Sequence, residues 1–124
     1  MDWPDGVMRF AEESSDRRYE EAAYAYTIGD FRAALASFSE LVKCKNSLAA
    51  AYLAEMYLRG EGTPPDVEKG LALLVLATSW GNGDAAYNLG ALHRTGVHGV
   101  PKDPKKSRQF FVLARELGCR LSVD

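Results

Sequence analysis

Apolar and small residues recur along this chain at helical spacing, and the recurrence itself repeats. Leu53, Ala54 and Tyr57 stand at i, i+1 and i+4, one face of a helix with 3.6 residues per turn, and Gly60 follows. Thirty-six residues later Leu89, Gly90 and His93 take the same positions, followed by Gly96. Beyond each glycine comes a loop containing Gly or Pro and then an aspartate, Asp66 or Asp103. The match continues through Lys69 and Lys106, Leu74 and Phe111, Ala77 and Ala114, and Gly81 and Gly118. One residue inserted in the second loop moves the offset from 36 to 37. A period of this length marks a solenoid of stacked supersecondary units.

Each copy predicts helix, loop, helix and turn. Ala54 and Gly90 are small enough to let a neighbouring helix approach closely. Gly60 and Gly96 stand where the chain leaves a helix with positive φ. Asp66 is placed to accept orphan amide hydrogens at the start of the next helix, and Asp103-Pro104 reads as an N-cap followed by proline at the first helical position. Gly81 and Gly118 end the second helices, the last of which is predicted over 104–117. An earlier unit keeps the spacing: Ala34, Phe38 and Leu41 precede Gly70, Leu74 and Ala77 by 36 residues each. Tyr19, Ala22, Ala23 and Tyr26 supply its first helix, with Ser14, Ser15 or Asp16 as cap. Before it, Pro4 to Glu13 reads as a short helix or arm whose Trp3, Val7 and Phe10 pack on the first unit.

The expected fold is all-α, an α-α superhelix of about three helix pairs in a single domain. Its parts are an arm at 1–13, units at 14–46, 47–83 and 84–118, and a tail at 119–124. Apolar and charged fractions of 47% and 26% fit a globular protein and exclude wholesale disorder. A net charge of -2 gives no global pointer to nucleic acid. The charge is unevenly spread: residues 1–30 hold eight acids against three arginines, net -5, and residues 100–124 hold six bases against three acids, net +3. No 18-residue apolar run predicts a transmembrane helix, and the N-terminus lacks the basic and apolar regions of a secretory signal. Cys44 and Cys119 lie about two periods apart, too far to bridge in a stack, so a reducing cytoplasm is the expected setting.

Residues 19–41 resemble a tetratricopeptide repeat through Gly29-x-Phe31-x-x-Ala34-x-x-x-Phe38-x-x-Leu41. Residues 49–83 and 84–118 resemble Sel-one-like repeats through Leu53-Ala54-x-x-Tyr57-x-x-Gly60-x-Gly62, Leu89-Gly90-x-x-His93-x-x-Gly96 and the junction Trp80-Gly81-Asn82-Gly83-Asp84. The chain departs from the family pattern at His93, Gly70, Ser107 and Leu74. The resemblance implies a right-handed superhelix serving as an adaptor, scaffold or regulatory binding surface. Bacterial members of the family occur in signalling, host interaction and toxin immunity.

Candidate chemistry is sparse. His93, His98, Cys44 and Cys119 are the soft metal ligands, but no Cys-x-x-Cys or His-x-x-x-His spacing groups them, so no metal and no cofactor is expected. Ser, His and Asp are present without a Gly-x-Ser-x-Gly elbow. Gly81-Asn82-Gly83 follows a helix, not a strand, which removes the context of a phosphate loop. Glu12-Glu13 and Glu20-Glu21 point apart on a helix, and Lys102, Lys105, Lys106 and Arg108 read as a solvated helix start.

Surfaces remain. In helix-pair solenoids the first helices line the concave side. The side chains flanking the packing positions there are Arg17, Glu20, Tyr24, Glu55, Arg59, Tyr87 and Arg94. Tyr and Arg are frequent interface anchors, although Tyr24 and Tyr87 equally suit packing between helices. Phe110, Leu113 and Leu117 form an apolar C-terminal edge, open to a partner or a homodimer unless Leu121-Ser122-Val123 folds back over it. The expected function is a non-catalytic module binding another protein or peptide, with no nucleic acid and no membrane. The alternative is an immunity-type inhibitor that blocks a toxin or effector enzyme.

Overall fold

The computed structural model describes residues 17–119. The arm with Trp3, Val7 and Phe10, the cap at Ser14, Ser15 or Asp16, and the tail segment Leu121-Ser122-Val123 lie outside them. The described residues form six helices and no strand: α1 over 17–27, α2 Phe31–Lys43, α3 Ser47–Arg59, α4 Val67–Ser79, α5 Gly83–Thr95 and α6 Pro104–Glu116. A single 3-10 turn, Val97–Gly99, stands between α5 and α6.

The regularity begins at the helix ends. Asp30, Asn46, Asp66, Asn82 and Asp103 each accept the backbone N–H three residues on, at 3.3, 2.9, 3.0, 3.0 and 3.1 Å. Each removes one of the amide donors that a helix start leaves unpaired. Asp66 and Asp103 are the caps expected from sequence, and Pro104 takes the first helical position as expected. At the other end α3 and α5 leave through Gly60 and Gly96, both at φ 74°, where a residue with Cβ is disfavoured.

Helix pairs close on small residues. A Cβ on Gly90 would sit 2.8 Å from the Phe111 ring, and one on Gly70 would sit 2.7 Å from Leu58 and 3.2 Å from the Ala54 carbonyl. Ser107 uses the same closeness, its hydroxyl donating to the Gly90 carbonyl at 2.8 Å. His93, where the family pattern has tyrosine, is 7% exposed; its Nδ1 lies 3.0 Å from the Pro101 carbonyl and its ring stacks on Phe110 at 5.9 Å.

The core runs through the stack in layers. Ala22, Ala34, Phe38, Leu41, Ala49, Leu53 and Met56 join the first pair to the second. Ala50, Ala54, Leu58, Leu74, Ala77, Ala85, Leu89 and Leu92 join the second to the third. Each fully buried Phe, Leu or Met contributes about 1.5–3 kcal/mol. Tyr52 stacks on Phe38 at 4.8 Å and meets Tyr26 edge-on at 5.4 Å, so aromatic rings seal the first joint. The Tyr26 hydroxyl donates to Glu61 at 2.9 Å, which ties the loop of the second pair to the first pair. Among the described residues no helix is long and apolar enough to cross a membrane.

Candidate partner-binding groove

The short side chains of Ala51 on α3 and Ala91 on α5 leave a groove of about 440 Å³ between these two helices. Tyr52, Glu55 and Arg59 line it from α3, Asn88, Leu92 and Thr95 from α5, and Val97 and His98 from the turn that follows. Tyr52 is held by its ring contacts with Phe38, Tyr19 and Tyr26, so that wall is fixed before any ligand arrives.

Glu55 and Arg59 form an ion pair at 2.8 Å, with side chains 38% and 51% exposed. An exposed i,i+4 pair contributes about 0.3–0.5 kcal/mol. Its larger effect here is that the groove's two formal charges compensate each other. The Tyr26 phenol beside them is pushed up to about 12, first by burial and then by its bond to Glu61. Thr95 donates its hydroxyl to the Ala91 carbonyl at 2.9 Å. His98 is exposed at φ 57° and makes no hydrogen bond among the described residues.

The residues singled out from sequence fall in three places. Glu55 and Arg59 line the groove. Arg17, Glu20 and Tyr24 are exposed on α1, Tyr24 by 66%, and Arg94 is exposed in the last turn of α5. Tyr87 is half-buried with its ring 5.4 Å from Phe111, a contact between α5 and α6. At the C-terminal edge Phe110 is half-buried against His93, Leu113 packs with Ala86, Ala114 and Cys119, and Leu117 is 37% exposed. Cys44 is exposed at the end of α2, while Cys119 is buried with its Sγ 3.1 Å from Asp84. Among the described residues no three His, Cys, Asp or Glu side chains are grouped to hold a metal ion.

Tyr52, Asn88, Thr95 and His98 line the groove without having been singled out from the sequence. The signal for three of them was present: Tyr52, Glu55 and Arg59 share one helix face, and adding the period of 36 gives Asn88, Ala91 and Thr95. Tyr87 and Arg94 stand one residue away, which is about 100° around a helix. His98 had no signal beyond its place in a loop.

The Sel1 repeat family model matches residues 47–79 and 83–119, more than half of the chain. The chain belongs to the Sel1 repeat family. Its two Sel1 repeats are the pairs α3–α4 and α5–α6, and the groove lies between their first helices. Among solved structures it is similar to the Sel1 repeat protein from Oxalobacter formigenes, with 29% identity and a TM-score of 0.66 over 74% of this chain. The match spans 26% of that protein's length. No curated protein matches the chain. Sel1 repeats generally mediate protein–protein interaction and are generally non-catalytic.

Proposed function

We propose that this Sel1 repeat chain is a non-catalytic adaptor that docks a segment of a partner protein between α3 and α5. The observation that carries this reading is the groove itself: a preformed space of about 440 Å³, walled by a fixed tyrosine and lined by both apolar and hydrogen-bonding side chains. A mixed lining of this kind suits a peptide segment, whose apolar side chains enter while its main chain stays hydrogen-bonded. Arg17, Glu20 and Tyr24 on α1, and Arg94 on α5, extend the contact beyond the groove, whereas Tyr87 packs against Phe111. The exposed thiol of Cys44 favours a reducing, cytoplasmic setting.

The test is to fill the space. Ala91→Trp should abolish capture of the partner from source cells, identified by mass spectrometry, and leave the helical circular dichroism intact. Capture that persists at full yield would remove the groove from the reading. A second surface is favoured by Leu117, 37% exposed at the cap of the last helix, beside the half-buried Phe110 and Leu113. Through it the chain forms a homodimer at the C-terminal edge, and a monomeric mass by light scattering would refute this.

A further inference from the structure

His98 is the groove residue whose backbone works against it. At φ 57° and ψ 21° it occupies the left-handed region, where a Cβ crowds the following carbonyl. The corresponding loop of the preceding repeat shows a cheaper solution. Counted from Gly60 and Gly96, His98 falls at the position of Gly62, itself at φ 77°. Counted back from Asp66 and Asp103, Gly99 falls there and His98 is the inserted residue. The second count is the structural one, since Gly99 at φ 80° faces Val67 as Gly62 faces Phe31 one repeat earlier, so the second Sel1 repeat adds an imidazole where the first has no residue. No hydrogen bond offsets the strain, because His98 is exposed and makes none among the described residues. Its side chain lines the groove together with Asn88 and Thr95.

The charge of that lining constrains the ligand. Glu55 and Arg59 are the formally charged residues of the lining, and they bond to each other. The lining therefore carries no net formal charge to select a charged segment. Of the other polar groups in the lining, which include the Tyr52 and Thr95 hydroxyls, the Asn88 amide and the His98 imidazole can each donate and accept, which is the pairing requirement of a peptide main chain.

We propose that His98 is a specificity-determining residue of the groove. It hydrogen-bonds, with Asn88, to the main chain of an uncharged peptide segment that inserts an apolar side chain between Ala51, Ala91 and Leu92. This rests on the groove being the docking surface proposed above.

The experiment is selection of a displayed random-peptide library on the full chain. Fluorescence anisotropy of the winning peptides is then measured on the wild type, His98→Gly and Ala91→Trp. The winners should be uncharged with an apolar anchor, and their affinity should change less than about twofold between low and moderate salt. His98→Gly should weaken them about tenfold, the loss of roughly one hydrogen bond, while raising the melting temperature by about 3 °C as the strain is released. A merely structural histidine would lower that temperature instead. Unchanged affinity in His98→Gly, or winners of consistent charge whose binding collapses with salt, would overturn the proposal while the groove stands. Winners that ignore Ala91→Trp would overturn the groove reading and this one with it.

Discussion

At the residue scale, Gly90 and Phe111 hold the positions that Ala54 and Leu74 hold one repeat earlier, so each repeat matches a small residue to a large one in its own way. Gly90→Ala brings a Cβ to within 2.8 Å of the Phe111 ring. Overpacking of about 1–3 kcal/mol, less about 1 kcal/mol of gained helix propensity, should leave a net loss of about 1 kcal/mol in urea denaturation. Adding Phe111→Leu should cancel most of that clash; strictly additive losses would show that the two positions do not couple. This complementarity was legible as a pattern of small residues, but which large residue faced each one was not. Pairing across helices depends on axial offset, which spacing along one helix does not encode. His93 illustrates the same limit: the helical face was readable, whereas its partners, Pro101 and Phe110, come from beyond the turn.

Tyr26 supplies a second prediction at this scale. Its folded pKa is raised from 10.0 to about 12, so folding favours the neutral phenol. The sign follows directly: this contribution is fully present below about pH 10 and is lost as pH rises through about 12. Tyr26→Phe should flatten the fall of melting temperature over that window. An identical alkaline profile in the variant would assign the loss to other groups, Tyr19 first among them, since burial raises it too.

Elements come next, and here the caps decide. Five helices of 13 residues each begin on an Asp or Asn whose side chain is bonded three residues on. Asn82→Ala should cost about 1 kcal/mol through the cap alone. It also removes the 3.4 Å contact from the Asn82 amide to the Ser47 hydroxyl, which joins the starts of α3 and α5. Asp66→Ala loses a cap of the same kind with no such link, and should therefore be milder in parallel thermal melts. Helix positions are readable where cap, apolar face and exit glycine agree, as at Gly60 and Asp66; the exit of α2 has no glycine and turns through Lys45 at φ 60°. The groove was only half readable for a geometric reason. Two helix faces must be read in register, and an offset of one residue turns a groove position such as Asn88 into a packing position such as Tyr87.

On the scale of the molecule, cohesion passes from pair to pair through two joints, one rich in aromatics and one in alanine and leucine. In such an array a unit is stabilised by its neighbours, so the middle pair gains from both sides. Native-state hydrogen exchange should find amides of α3 and α4 slowest, with α6 faster. Slowest exchange in α6 would contradict a stack held together by nearest neighbours. The number of pairs and their order could be read from the period, whereas the volume left between α3 and α5 could not, because it is what remains after packing.

Cys119 shows where this modularity leads. It stands 37 residues after Asn82, at the place of the next helix cap, and reaches Asp84 across the same 35-residue separation that Asn82 spans to Ser47. Position 119 therefore carries a thiol where the preceding junction carries the Asn82 amide. Cys119→Asn, followed by a grafted copy of residues 83–118, should lengthen the array by one pair and open a second trough beside the first.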